Sequence, residues 1–163
     1  MKHRPIPVYI LSILLLFQAL SGIAGGLSLV IKPDGSILNM PVSSLAGSPF
    51  KNFLIPGLCL FLLLGILPAI TSWGLVFKPK SRWFGNLNIY KNRHWSWSYA
   101  LCVGIMLIFW IYVEFLVMGY ASNLQAFFGF LGILILILAL LPSIMKYTKI
   151  KQQKEKRRKN WEK

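Results

Sequence analysis

The stretch SYALCVGIMLIFWIYVEFLVMGY, at residues 98–120, decides the fold. A second apolar stretch, LQAFFGFLGILILILALLPSIM, follows at residues 124–145. Each is long enough to cross a hydrocarbon layer of about 30 Å as a helix, which takes about 20 residues. Similar stretches lie at residues 7–31 and 52–77, and none of the four contains Lys or Arg. All four are continuous in Leu, Ile and Phe rather than alternating, so we predict four transmembrane helices and not a membrane barrel.

The overall composition excludes an ordinary soluble domain. The chain has 163 residues, of which 56% are hydrophobic and 13% charged, with a mean hydropathy of +0.61. Its 18 Lys and Arg against four acids give a net charge of +14. A charge of this size is also typical of nucleic-acid-binding proteins, but here the charges fall between the apolar stretches. We therefore predict a membrane protein with no nucleic-acid partner.

The positions of the basic residues predict the orientation. The amino end, the middle loop and the carboxyl-terminal segment from Lys146 onward hold two, five and nine Lys or Arg, together 16 of the 18. The opposite side holds only Lys32 and Lys51. The positive-inside rule then predicts a cell (inner) membrane protein with both termini cytoplasmic. Four tryptophans should lie at the cytoplasmic interface of the bilayer: Trp73, Trp83, Trp95 and Trp97. Alternatively, the first stretch is a signal peptide that is cleaved, which would leave the topology of the remaining spans unchanged.

The predicted fold is therefore all-α, a single four-transmembrane-helix bundle at residues 1–147 with N-in/C-in topology and an ordered outer loop. Residues 148–163 form a polybasic cytoplasmic tail. Anionic lipid headgroups would attract such a tail by up to about 1 kcal/mol per basic residue. An alternative is that the tail only sets the topology. The candidate lipid contacts are Lys154, Lys156, Arg157, Arg158 and Lys159.

The outer loop, residues 32–51, has turn residues in positions that favour an ordered structure. Lys32-Pro33-Asp34-Gly35 predicts a turn, and Pro41 should open a short helix that runs through Leu45. Ser48-Pro49 is typical of a helix cap followed by a first helical position. Whether the loop lies on the bilayer surface or covers the outer mouth of the bundle stays open.

Small residues and prolines mark the predicted spans. Ser21, Gly22, Gly25 and Gly26 cluster in the first span, and Gly22 to Gly26 has GxxxG spacing. This spacing predicts close helix packing, either within one chain or between chains. Interior prolines remove an amide donor, so kinks are expected at the following residues: Pro56, Pro68 and Pro142.

Glu114 is the only acid inside a predicted span and is the default candidate for a functional site. At 1.5 Å per residue it lies about 24 Å above the inner boundary. We expect a polar layer at that height, formed by Glu114, Gln18, Ser21, Gln125 and Trp110. Three roles for Glu114 stay open: a protonated group that fixes helix packing, an acid that couples to protons or cations, and a lipid-facing side chain. Gln18 should join two helices through its amide.

No catalytic or cofactor motif is found in the sequence. Cys59 and Cys102 lie at different depths and form no CxxC, and both histidines fall at the cytoplasmic edge, so neither a redox pair nor a haem site is indicated. GxSxG, HExxH, Walker and dinucleotide motifs are absent. We predict a protein that is not an enzyme and has no metal or cofactor.

Two segments carry a resemblance to a known family. They are PDGSILNMPVSSLAGSPFKNFLIPG at residues 33–57 and WSWSYALCVGIMLIFWIYVEFLVMGYASNLQ at residues 95–125. They resemble an uncharacterised family of small four-span bacterial integral membrane proteins with the patterns PDGS-x-LGMP, SPF-x-DFLIPG, W-x-W, W-x-x-V-E/Q, M-x-GY and LQ. Here Asn39 replaces a usual Gly and Asn52 a usual Asp. The resemblance implies the four-helix architecture, with the outer loop and the Glu114 layer as shared features, and it implies no activity. The candidate outer-loop motif consists of Pro33, Asp34, Gly35, Ser48, Pro49, Phe50, Pro56 and Gly57.

The expected function is that of a non-enzymatic accessory, scaffold or assembly subunit. Its partners would be the bilayer and either a second copy or another membrane protein. The alternative is a small proton- or cation-coupled transporter that acts as an oligomer through Glu114.

Overall fold

The computed structural model describes residues 4–79, 82–86, 88, 90 and 92–150. Within these residues it contains no strand and has four helices long and apolar enough to cross a membrane. We number them as spans 1 to 4: Ile6–Ile31, Leu54–Phe77, Trp95–Met118 and Asn123–Leu140. The predicted all-α fold with four apolar helices is confirmed.

The four spans pack around one apolar core. Span 1 contributes Val8, Leu11 and Leu15, whose side chains are almost completely buried. They meet buried side chains of the other three spans: Leu64, Leu75, Val103, Leu107, Leu131, Ile135 and Ala139. Core positions recur at helical spacing, for example Leu131 and Ile135, because only one stripe of each helix faces its neighbours. The remaining faces are apolar and exposed, as expected of helices that face lipid.

Spans 1 and 2 are in direct backbone contact through the small-residue cluster. A Cβ added at Gly22 would lie 2.1 Å from the carbonyl oxygen of Leu64, and one at Gly26 would lie 2.5 Å from the amide nitrogen of Phe61. Gly57 leaves similar room for Leu29. The GxxxG pair therefore packs inside one chain, so these two glycines are not exposed for contact with a second copy.

Span 2 is not a uniform α-helix. An α-helical segment, Leu54–Phe61, is followed by a π turn, Leu62–Ile66, and a second α-helical segment, Leu67–Phe77. Pro68 has no N–H, so the carbonyl of Leu64 lacks its α-helical donor. Gln18 of span 1 donates from Nε2 to this carbonyl at 3.2 Å. The side chain of one span thus replaces a backbone hydrogen bond that proline removes from another.

The two other prolines behave differently from the predicted kinks. Pro56 lies in the first turn of span 2, where backbone N–H groups need no intrahelical partner, so the helix tolerates it. Pro142 ends span 4 instead of bending it: Leu141 is extended (φ −59°, ψ 136°), and a short helix, Pro142–Tyr147, follows. The break leaves the carbonyl of Ala139 without a backbone donor, and the Nε1 of Trp97 donates to it at 2.8 Å.

The cytoplasmic end of the bundle, by the predicted orientation, is held by hydrogen bonds to the short helix Pro142–Tyr147. Arg93 donates to the carbonyl of Met145 at 2.6 Å, and Lys78 donates to the carbonyl of Tyr147. Cations at the carboxyl end of a helix also interact favourably with its dipole. Hydrogen bonds continue to Ile150, whose amide donates to the carbonyl of Asn92. Two basic residues of the loop are therefore structural caps.

Two of the four tryptophans that are predicted to lie at the interface pack inside the bundle, and their depth in the bilayer stays a prediction. Trp95 and Trp97 are buried, 3% and 4% exposed, because Gly74 leaves room for the ring of Trp95 and Trp97 bonds to span 4. Trp73 is exposed, and the side chain of Trp83 lies outside those that the structure describes.

The outer loop is ordered and packs on the ends of the spans. The predicted turn is present, since the amide of Gly35 donates to the carbonyl of Lys32 at 3.0 Å, and a 3₁₀ helix, Val42–Leu45, follows Pro41. The amide of Phe53 closes the loop on the carbonyl of Pro33 at 2.8 Å. An outer cluster then forms from the second half of the loop, the residue before span 2, and spans 1 and 3, namely Leu29, Leu45, Phe53, Val117 and Met118.

One predicted helix start is wrong. Span 2 begins at Leu54 and not at Ser48-Pro49, because the hydroxyl of Ser48 donates to the carbonyl of Leu45 and holds a turn. Asn52 instead accepts a hydrogen bond from the amide of Leu54 at 3.1 Å. Asn and Asp are equally suited to this type of bond, so an acid is not needed there.

We predict that Gly22→Ala destabilises the protein whereas Gly25→Ala does not. The new methyl at position 22 would overlap backbone atoms of Leu64 and Gly65, while at position 25 it meets a movable Leu60 methyl at 3.3 Å. Overpacking of this kind lowers the free energy of unfolding by about 1–3 kcal/mol. Both variants gain the same helix propensity, so Gly25→Ala is a matched control. Equilibrium unfolding in mixed SDS micelles measures the difference, and equal stability of the two variants would contradict the packing.

Candidate functional site

Glu114 lies on the side of span 3 that faces the bundle, close to its outer end. One helical turn below it are Trp110 and Ile111, which pack against the main core. One turn above it is Met118, which packs against the outer cluster. Glu114 is half-buried and lies directly below the layer where the outer loop covers the bundle.

Two polar side chains lie near the carboxyl of Glu114. The indole Nε1 of Trp110 donates to Oε1 at 2.7 Å, from the preceding turn of the same helix. The side chain of Gln125 of span 4 is the other polar group near this carboxyl. The carbonyl oxygen of Gln125 accepts from the amide of Ala121 at 2.9 Å, which leaves its NH₂ group for Glu114. We call Trp110, Glu114 and Gln125 the carboxyl cluster.

The carboxyl cluster contains no cation. In the described parts of the chain, no Lys or Arg forms an ion pair with Glu114, and its polar neighbours are neutral. Gln125, at 7% exposed, is the most buried of the three. The cluster can therefore donate hydrogen bonds to a carboxylate, but it supplies no opposite charge.

The predicted polar layer is divided in two. Trp110, Glu114 and Gln125 come together as expected, but Gln18 and Ser21 do not join them through any hydrogen bond that the structure describes. Gln18 bonds to Leu64 of span 2, and the hydroxyl of Ser21 donates to the carbonyl of Phe17 in its own helix at 3.0 Å. Helix rise predicts that Ser21 and Glu114 lie at similar heights in the bilayer. Height alone does not specify which side of its helix a residue occupies.

Only one of the two polar groups of the Gln18 side chain has a hydrogen-bond partner. Its side chain is 2% exposed, and Oε1 is the one buried side-chain polar atom without a hydrogen-bond partner among the described residues. A buried unpaired acceptor costs about 1–3 kcal/mol. The hydrogen bond that its NH₂ group donates to the carbonyl of Leu64 opposes this cost.

The outer-loop motif residues have structural roles. Asp34 accepts from the amide of Ser36 at 3.0 Å, and this bond lowers the pKa of the Asp34 carboxyl below its ordinary value. Gly35 has a positive φ of 76°, and a Cβ there would overlap the carbonyl of Met40. Asn39 also has a left-handed conformation (φ 52°), which Gly and Asn tolerate best. Of the others, Phe50 packs against the outer cluster and the Oγ of Ser48 accepts from its amide.

Sequence reasoning missed the residues that organise the end of the bundle predicted to be cytoplasmic. Asn88 is buried and accepts from the hydroxyl of Ser98 at 2.6 Å while donating to the carbonyl of Arg93. His94 caps span 3, because its Nδ1 accepts from the amide of Ser96 and its Nε2 lies 3.2 Å from the carbonyl of Pro79. Burial lowers the pKa of His94 below its ordinary value. Histidine is not a typical cap residue, so no pattern in the sequence indicated this role.

The structure describes no metal centre in the residues it covers. No group of three His, Cys, Asp or Glu side chains that could hold a metal ion occurs among them, and Cys59 and Cys102 are both unbridged. The tail residues predicted to contact anionic lipid, Lys154, Lys156, Arg157, Arg158 and Lys159, lie outside the described residues.

Comparisons with known proteins give no relative to which this geometry can be matched. No protein-family model, curated protein or solved structure matches the chain.

Proposed function

We propose that this chain is a multi-pass cell-membrane protein that acts as a non-enzymatic accessory or assembly subunit. The charge distribution supports cytoplasmic termini, because an even number of spans would put 16 of the 18 basic residues on one side. The partner would be another membrane protein or a second copy.

The outer loop is the observation that carries this proposal. It is closed by the hydrogen bond between Phe53 and Pro33 and packed on span 3, so it is a preformed surface. Ile37, Leu38 and Val42 are nevertheless exposed on it, between 39% and 48%. Apolar side chains on an ordered surface are typical of a site that contacts another molecule. The small-residue face of span 1 no longer supports partner binding, because span 2 covers Gly22 and Gly26.

A partner at the outer loop is tested by crosslinking from the outside of intact cells. We expect Ser43→Cys, which lies on the loop, to give a discrete product with a membrane-impermeant thiol crosslinker. Adding Ile37→Asn should reduce the product several-fold, whereas Ile6→Asn, an exposed apolar position at the other end of the bundle, should not. Monomer alone, both after crosslinking and by native mass spectrometry in mild detergent, would contradict the accessory role.

Glu114 supports a second candidate function, that of a proton- or cation-coupled transporter. A half-buried carboxyl within a span that has no cation partner is the kind of group that exchanges protons or cations. Against transport through one chain, the core below Glu114 is filled by apolar side chains such as Leu107, Leu15 and Leu131. A transporter would therefore need a pathway between copies.

Proton flux into liposomes separates the two functions. For an accessory subunit we expect the purified protein to pass protons no faster than protein-free liposomes, because the core offers no polar path. A transporter would pass protons, and Glu114→Gln would abolish this flux. Asp34→Asn, which makes the same kind of change outside the spans, would leave the flux intact. This combination of results would contradict the accessory role and support transport.

A further inference from the structure

The cap of span 3 is a histidine that joins the ends of three spans. His94 precedes the first helical residue with an extended backbone (φ −63°, ψ 138°). Its Nδ1 lies 3.4 Å from the amide nitrogen of Ser96 and 2.8 Å from the hydroxyl oxygen of that residue. On the other side of the ring, Nε2 lies 3.2 Å from the carbonyl oxygen of Pro79, which follows span 2. The amide of His94 donates to the carbonyl of Thr148, beyond span 4, at 2.8 Å.

These partners determine the protonation state in which the ring acts as a cap. A backbone amide only donates and a carbonyl only accepts, so Nδ1 is an unprotonated acceptor and Nε2–H donates to Pro79. In the protonated ring Nδ1 also carries a hydrogen, which points at the amide of Ser96. The hydroxyl of Ser96 can reverse and accept this hydrogen, but the amide cannot. Protonation therefore removes the cap and leaves the bond to Pro79 in place.

Burial prevents water from replacing the lost acceptor. Ser96 is 0% exposed, and the ring of His94 is half-buried against Trp95, with ring centroids 5.1 Å apart. A buried amide without an acceptor is destabilising. An imidazolium would also place a positive charge at the amino end of a helix, where the helix dipole disfavours cations.

The charged neighbours of His94 oppose its protonation or are directed elsewhere. Lys78, at the end of span 2, disfavours a second positive charge nearby. Arg93 is turned towards the carbonyl groups of the short helix. Lys149 pairs with Arg93 through its backbone and has an exposed side chain, and Tyr99 of span 3 is a neutral phenol at these pH values. Among the described residues no carboxylate contacts His94 to stabilise its charged form.

The first turn of span 3 connects the cap to the rest of the bundle. Trp97 donates to the carbonyl of Ala139 in span 4, and the hydroxyl of Ser98 donates to Asn88 in the loop between spans 2 and 3. Both bonds require that this turn stays helical. Fraying of the turn would therefore loosen span 4 and the loop together.

We propose that His94 is a pH-sensitive switch: its neutral ring caps span 3, and its protonation uncaps the helix so that the first turn frays and loosens this end of the bundle. Burial lowers the pKa of His94 below the ordinary value of about 6.5. The stability that the cap contributes is therefore complete above about pH 6.5 and is lost as the pH falls below it. The switch goes beyond the proposed accessory function and does not depend on it, because it requires no partner.

Equilibrium unfolding of the full chain in mixed SDS micelles at about pH 8 and about pH 5.5 tests the switch. We expect acidification to raise the equilibrium constant for unfolding by about three- to tenfold more in wild type than in His94→Asn. Asn also caps helices, but it does not titrate. His3→Asn removes the only other histidine and should keep the wild-type pH dependence. The four acids are present in every variant, so their titration cancels.

Two further measurements retain His94 and follow it directly. In His3→Asn, His94 is the only histidine, so nitrogen NMR of histidine-labelled protein reports its ring. We expect the Nε2–H tautomer at about pH 8 and a titration midpoint below about 6.5. Hydrogen exchange followed by mass spectrometry should show that residues 93–98 lose protection at the lower pH, after correction for the intrinsic rate. Residues 34–46 of the outer loop should not.

Three results would overturn the proposal. The first is equal pH dependence of unfolding in wild type and His94→Asn. The second is the Nδ1–H tautomer at about pH 8, or a midpoint at or above about 6.5. The third is unchanged protection of residues 93–98 at a pH where NMR shows the ring protonated, which would make His94 a static cap. If His94→Asn does not fold, the NMR and exchange measurements decide alone.

Discussion

The structure depends on one constraint: a backbone carbonyl inside an apolar bundle must find a donor within the protein, because hydrocarbon offers none. Pro68 leaves the carbonyl of Leu64 without its α-helical donor, and Gln18 of span 1 supplies one. The break before Pro142 leaves the carbonyl of Ala139 free, and Trp97 of span 3 supplies the donor there. In both places a proline weakens one helix and the replacement bond joins it to another. These bonds specify which helix faces which and at what height.

The glycines make the first of these bonds possible. Gln18 reaches Leu64 because Gly22, one turn further along span 1, lets the two backbones approach to a distance that no Cβ allows. The same requirement recurs at the opposite end of the bundle from the outer loop, where Arg93 and Lys78 bond to the last carbonyls of the short helix. Most polar groups that the structure describes in the spans thus stabilise the fold. The carboxyl cluster differs from them because Glu114 accepts hydrogen bonds but has no opposite charge among the described residues.

Hydropathy and charge were sufficient to predict the four helices, since both depend only on composition along the chain. They also predicted the Gly35 turn, the short helix after Pro41 and the meeting of Trp110 with Glu114, because these are local patterns. The separation of Gln18 from Glu114 could not be predicted, because it depends on helix rotation, which the glycine contacts set. The same holds for the burial of Trp95, which requires the space at Gly74 on another span. His94 as a cap was missed because histidine is not a typical cap residue, although the amide that it accepts from, that of Ser96, is only two residues away.

A double-mutant cycle on Gln18 and Pro68 tests the central constraint most directly. Gln18→Leu removes the donor to Leu64, and Pro68→Ala restores a backbone N–H four residues after it. Loss of the unpaired Oε1 occurs in both backgrounds and cancels in the cycle. We predict that Gln18→Leu destabilises the protein less in the Pro68→Ala background than in wild type, with a coupling of at least about 1 kcal/mol. Additive effects on the free energy of unfolding would contradict the account.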